Sequence, residues 1–255
     1  MKIYDLFKKS VLGGVLAFSL AAGTSAAANA ETLRVGATST GIPFTFLDIS
    51  TDEIQGMMVD TAHAIADAAG FDAVIEQTVF SALIPSLNGN KIDIISAAML
   101  RTPEREKVVA FTDPVYAYGE ALIIKEDDET PYSSLEDLKG EVVGAQVGTV
   151  FVDLLREKGY FKDVRSYDSL ADLSRDVALG RIKAGIGDEP ILSYQIQQGN
   201  LTGVKIVPDY EQESAGEVSL VVRQDDDELR ERINKAIKQI KEDGTLDKIL
   251  DKWGI

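Results

Sequence analysis

The stretch V59-DTAHAIADAAGFDAVIEQTVFSALIPSLNGNKIDII-S96 decides the fold. Val59, Ala62, Ile65, Ala66 and Ala69 recur at helical spacing, and Gly70 supplies a C-terminal stop. Ala73 to Gln77 then reads as a strand. Ser81 is expected to cap a short helix through Leu87, the Asn88-Gly89-Asn90 turn ends it, and Ile92 to Ser96 reads as a buried strand. Helices alternating with short apolar strands define an α/β chain with a largely parallel sheet.

Working outward, Leu33 to Ala37 is the first strand. Thr102-Pro103-Glu104 opens a helix with Thr as N-cap and Pro in the first helical position. Val108 to Phe111 and Ala121 to Ile124 read as two separate strands. Downstream, Val142 to Gln146, Val164 to Ser166, Ala184 to Gly187, Lys205 to Val207 and Val218 to Val222 are strands. They alternate with helices at 150–158, 170–179 and 191–197, and the chain closes with helices at 226–242 and 246–253. No repeat, low-complexity run or flexible linker separates these units, so a boundary between lobes must be crossed by ordinary strands.

At the N-terminus, Lys2, Lys8 and Lys9 precede an apolar run from Val11 to Ala22 and a small-residue tail ending Ala28-Asn29-Ala30. This is the pattern of a secretory signal peptide over 1–30, with cleavage expected after Ala30. Its apolar core is well short of the ~20 residues that a membrane-spanning helix requires. The chain has no Cys, so no lipid can be attached at the processing site, and disulfides, thiolate metal sites and Cys nucleophiles are excluded. A freely soluble product retained in a periplasm is expected.

The 255 residues carry 26 Lys and Arg against 42 Asp and Glu, a formal charge of −16. Without the leader's Lys2, Lys8, Lys9 and Asp5 the balance is 23 against 41, or −18. Such a surface repels nucleic acid and anionic lipid and favours solubility. His63 is the sole histidine, on the flank of the helix from Val59, and a Ser-His-Asp site is not expected. No zinc signature, phosphate loop or dinucleotide fingerprint is present; neither a metal nor a cofactor is expected.

A series of short motifs runs in order along the chain: Val35-Gly36, Pro43-Phe44, Val59-Asp60, Leu83-Ile84-Pro85-Ser86-Leu87, Lys91-Ile92-Asp93-Ile94-Ile95, Thr102-Pro103-Glu104-Arg105 and Phe111-Thr112-Asp113-Pro114. It continues with Ser134-Leu135-Glu136-Asp137-Leu138-Lys139-Gly140, Gly148-Thr149, Gly187-Asp188-Glu189-Pro190 and the tail from Glu242-Asp243-Gly244 to Lys252-Trp253. In these the chain resembles the polar amino-acid-binding receptors of bacterial solute-binding protein family 3. The resemblance implies a type II, Venus-flytrap periplasmic-binding-protein fold with two strand crossings at the hinge, near Tyr118 to Ala121 and near Glu217 to Val218. Lobe 1 would comprise 31–118 and 218–255, and lobe 2 would comprise 119–217. It further implies a monomeric, non-enzymatic receptor that delivers an amino-acid-like ligand to an inner-membrane ABC permease. A prephenate or arogenate dehydratase-like enzyme on the same fold and a receptor feeding a sensor are the alternatives.

The resemblance also implies site residues. Arg105 would grip a ligand carboxylate, because a planar guanidinium offers two parallel donors. Asp188 would hold an ammonium; read alone, it is equally an N-cap. The amides of Thr149 and Val150, at a helix start, would face an anion, with Gln146 contacting the ligand side chain. Ala98 and Leu100 precede Arg105 on the same stretch. Departures bear on specificity: Gly41 and Met57 stand where the family carries aromatics, Leu100 stands where it carries a hydroxyl, and Arg101 is available for a second anionic group. Phe44, Phe80 and Tyr118 are candidates to replace the missing aromatic walls.

Overall fold

The computed structural model describes residues 31–255; the expected leader and its cleavage point lie outside the described residues. In chain order the elements are β1 (Glu31–Ala37), β2 (Thr40–Gly41), β3 (Thr45–Asp48), β4 (Glu53–Gln55), α1 (Met57–Ala69), β5 (Phe71–Gln77), α2 (Leu83–Asn88), β6 (Ile94–Ile95) and α3 (Pro103–Glu106). There follow β7 (Val109–Lys125), β8 (Val142–Gln146), α4 (Val150–Lys158), β9 (Asp163–Tyr167), α5 (Leu170–Ala178), β10 (Ala184–Asp188) and α6 (Glu189–Gln197). The last are β11 (Val204–Ile206), β12 (Ala215–Arg223), α7 (Asp227–Glu242) and α8 (Thr245–Trp253).

The main sheet runs β5-β1-β6-β12-β7-β10-β8-β9, with β11 also on β7. Parallel pairs at each end, β1 with β5 and β6, and β8 with β9 and β10, are the ones whose strands are joined through helices. Antiparallel pairs in the middle all involve β7 or β12. This gives the two-lobed type II fold, with β7 shared by both halves. Its first part pairs with β12, from Val109↔Arg223 to Gly119↔Ala215. Its second part pairs with β10, from Glu120↔Asp188 to Ile124↔Ala184, and with β11.

Local sequence explains most of these elements. In α1, Met57, Met58, Val59, Thr61, Ala62, Ile65 and Ala66 are buried, and Gly70 closes the helix in the left-handed conformation. α7 buries Leu229, Ile233, Ala236, Ile237 and Ile240, one stripe at helical spacing, and packs on α1. The Thr102 hydroxyl caps α3 by accepting from the Arg105 amide at 3.2 Å, with Pro103 in the first turn as expected. Elsewhere in the core, Leu83, Leu87, Ile95, Met99, Phe111 and Val221 form a second cluster beneath α2.

Two expectations fail, and one feature was not foreseen. The strands read at 108–111 and 121–124 are one 17-residue strand, β7. Pairing with β12 continues along its first part, and β7 carries one extra residue opposite Val218–Ser219 and another opposite Ser219–Val221, bulges that absorb Pro114. Ser81 does not cap α2: it lies inside a 3-10 turn, Phe80–Ala82, and Ala82 precedes the helix without a side-chain cap. The small sheet β2-β3-β4 was not anticipated, because strands of two to four residues are too short to show a period.

Candidate functional site

β7 and β10 meet at the pair Glu120↔Asp188, which brings Tyr118 and Asp188 to the middle of the molecule. Asp188 ends β10 and occupies the N-cap position of α6, yet its side chain makes no capping bond. Instead its Oδ1 is bonded by the Tyr118 hydroxyl, which also lies 2.9 Å from the Ala98 carbonyl oxygen. The carboxylate is buried, and burial pushes its pKa above the usual carboxylate range. Burial likewise drives the Tyr118 phenol well up, with the Asp188 charge adding to it.

A small cavity of about 20 Å³ lies around this pair. Gly41, Phe44, Phe80, Ala98, Tyr118, Gln146 and Asp188 line it, seven of the residues singled out from the sequence. The Phe44 ring is stacked on Tyr118, with centroids 5.6 Å apart and planes at 28°, and is tilted against Tyr116. A Cβ at Gly41 would sit in ordinary contact with the Thr38 hydroxyl, Ile191 and the Thr45 carbonyl at 3.4 to 3.5 Å. Gln146 donates its amide to the Asp168 carbonyl at 3.1 Å.

Beside the cavity lies a groove lined by Arg105, Gly148, Thr149 and Val150. The Arg105 guanidinium is held by two carbonyls: Nη1 donates to Leu100 O at 2.5 Å and Nη2 to Gly148 O at 3.0 Å. Phe80 stands between groove and cavity, its ring centroid 5.8 Å from the guanidinium carbon. Burial lowers the Arg105 pKa, while the charges of Tyr118, Asp188 and Asp153 oppose the shift. Because its neighbours in these bonds are neutral carbonyls, the cation keeps its capacity for an anion.

At the start of α4, Thr149 donates its amide to Gln146 O at 3.2 Å and its hydroxyl to the same oxygen at 2.6 Å. Of the two amides expected to face an anion, that of Val150, in the first turn where no helical carbonyl can reach it, is the one left for a ligand. Met57 and Leu100 line neither space. Met57 is fully buried in α1, and Leu100 packs in the core while bridging to Val218. Arg101, expected to be available for an anionic group, is paired with Glu106, its Nε donating at 2.6 Å. His63 is exposed on α1, away from both spaces.

Sequence reading missed the hydroxyl wall formed by Thr38, Thr40 and Thr45, and the apolar wall formed by Leu170 and Ile191. The Thr38 and Thr45 hydroxyls are bonded to each other at 2.6 Å across the β2–β3 hairpin. Their only signal in the sequence is the cluster of threonines flanking Pro43-Phe44, which does not reveal which way they face. Among the described residues no cluster of His, Asp and Glu suited to a metal ion occurs, and no helix is long and apolar enough to cross a membrane.

The two-lobed fold, with Arg105 and Asp188 lining adjoining spaces, is that of a solute-binding protein. The chain belongs to the bacterial extracellular solute-binding proteins, family 3, whose model matches residues 33–255. It is 33% identical to ABC transporter arginine-binding protein 1 of Escherichia coli K12 over 241 residues, 94% of this chain and 97% of the relative. Among solved structures it resembles a mutant of ArgBP from T. maritima, with a TM-score of 0.80 and 31% identity over 87% of this chain and 94% of the other. It also resembles the ancestral amino-acid-binding protein AncCDT-1, a precursor of cyclohexadienyl dehydratase, with a TM-score of 0.77 and 31% identity over 87% and 95% of the two chains.

Proposed function

We propose that this protein is the periplasmic receptor of an ABC importer and captures an amino acid or a similar zwitterion by closure of its two lobes. In this reading lobe 1 is 31–118 with 218–255, lobe 2 is 119–217, and β7 and β12 form the hinge. The observation that carries it is the placement of Arg105 and Asp188 in adjoining spaces between the lobes, separated by Phe80. A ligand carboxylate would take the Arg105 donors together with the Val150 amide, and its cationic nitrogen would neutralise Asp188. Contacts to both lobes stabilise the closed form over the open one by the difference in contact, which is the physical content of hinge closure. An inner-membrane permease that recognises the closed shape is the expected partner.

Support also comes from the names of relatives, which are those of binding proteins. Likeness to a dehydratase precursor favours one second reading, an enzyme acting on a prephenate-like acid. Titration calorimetry of the chain from Glu31 onward against amino acids, their derivatives and prephenate separates the two. Tight zwitterion binding that is lost in Arg105→Ala supports the receptor. Turnover of prephenate with no zwitterion bound would refute it.

A further inference from the structure

Charge and space at Asp188 together restrict the side chain that a ligand can carry. Among the described residues lining that cavity, Asp188 alone carries a charge. In the receptor reading its carboxylate is matched by the ligand's α-nitrogen, and Arg105 by the ligand's carboxylate. A second cation in the side chain would then be buried with no anion to pair it, and a side-chain carboxylate would face Asp188 with no cation left. An unpaired charge taken out of water is costly. Glu104, Asp153 and Glu157 line the groove beside Arg105 but are exposed, so water screens them and an ion pair there contributes little.

The limit on size comes from what surrounds Gly41. Ile191, on α6, places its Cδ1 3.5 Å from where a Gly41 Cβ would lie, and the Thr38 hydroxyl and Thr45 carbonyl close two further sides. Ile191 is buried, and Phe44, Phe80 and Leu170 complete an apolar wall with it. In the receptor reading Gly41 and Ile191 belong to opposite lobes, so the room left by the missing side chain on one is taken by the side chain of the other. What stays open is about 20 Å³. One water needs about 10–15 Å³ of such space, so the cavity admits an ammonium and a very small side chain beside it.

We propose that Ile191, seated against Gly41, is a specificity-determining residue that limits the receptor to small uncharged amino acids, such as glycine, alanine or serine, and excludes long and cationic side chains. This rests on the receptor reading above and narrows its ligand class. The single carboxylate sets the charge that is accepted, and Ile191 sets the length.

The test is titration calorimetry of the chain from Glu31 onward, which contains every described element, with glycine, alanine, serine, glutamine, citrulline, arginine and lysine. Citrulline and arginine match in length and differ in charge, so they separate the two restrictions. In wild type the tightest of glycine, alanine and serine is expected to bind tenfold or more tightly than any of the four longer compounds. Ile191→Ala removes the wall beside Gly41 and should cut that margin over glutamine and citrulline at least tenfold, while citrulline stays ahead of arginine. Circular dichroism establishes that the variant folds; should it not, Ile191→Val carries the comparison, with a threefold narrowing expected. Any of the four longer compounds binding more tightly than the small ones in wild type, or a margin unchanged in the Ile191 variant, overturns the proposal while leaving the receptor reading intact. Failure of all seven to bind overturns the proposal, and the receptor reading falls with it when the amino-acid derivatives named above also fail.

Discussion

Gly148→Ala probes the approach of the two lobes directly, because two separable penalties fall on it. Gly148 has φ +81°, a left-handed conformation that costs an L-residue about 1–2 kcal/mol. That penalty applies whenever the protein is folded. A Cβ on Gly148 would also lie 2.9 Å from Ser81 Cα and 3.1 Å from Ser81 Cβ. Overpacking of this kind costs about 1–3 kcal/mol, and in the receptor reading it applies only when the segments around 81 and 148 are together. Backbone displacement at 148 would in addition disturb the Arg105 bond to the Gly148 carbonyl.

The first penalty should lower Tm by roughly 2–8 °C for a chain of this size. The second should weaken ligand binding by about 5- to 150-fold, since ~1.4 kcal/mol corresponds to a factor of ten. Gly159→Ala is the matched control: Gly159 has φ +68°, and a Cβ there comes no nearer than 4.0 Å to a neighbouring atom. It should show the loss in Tm with affinity unchanged. Scanning calorimetry gives the first quantity and titration calorimetry the second. Should Gly148→Ala lose Tm but bind as tightly as Gly159→Ala, residues 81 and 148 do not come together in the bound state and the closure argument is wrong.

Arg105→Lys should weaken binding tenfold or more, because an ammonium cannot span Leu100 O and Gly148 O and still offer a flat pair of donors; titration calorimetry checks it, and wild-type affinity would count against the carboxylate anchor. Asp188→Asn should abolish binding of a cationic nitrogen while raising Tm of the ligand-free protein. Burial raises the Asp188 pKa, so its cost to the fold is full above the raised value, shrinks as pH falls below it and is gone below the ordinary carboxylate range; the gain in Tm should therefore be largest at neutral and higher pH. By the same sign, ligand affinity in the wild type should be full above the raised Asp188 pKa and fall as pH drops below it, by up to tenfold per unit. Glu120→Gln should destabilise the chain by about 1–3 kcal/mol, since this buried carboxylate accepts from the Tyr210 hydroxyl and from the Glu213 and Ser214 amides, and a Gln amide group would face one of those donors; chemical denaturation measures it.

Sequence alone determined the elements whose information is local. The 150–158 helix, the Thr102 cap and the α1 face follow from spacing and capping chemistry within a few residues. The order of motifs along the chain was enough to point to the family. Tertiary structure decided what depends on partners distant in sequence. Only pairing with β12 makes one strand of Val109–Lys125, and only the β7–β10 register places Tyr118 against Asp188, 70 residues away. That register, rather than either residue type, turns a nominal N-cap into a buried carboxylate aimed at a cavity. Tertiary packing likewise puts Met57 and Leu100 in the core and Arg101 in an ion pair with Glu106, because which way a side chain faces is set by the neighbour it packs against.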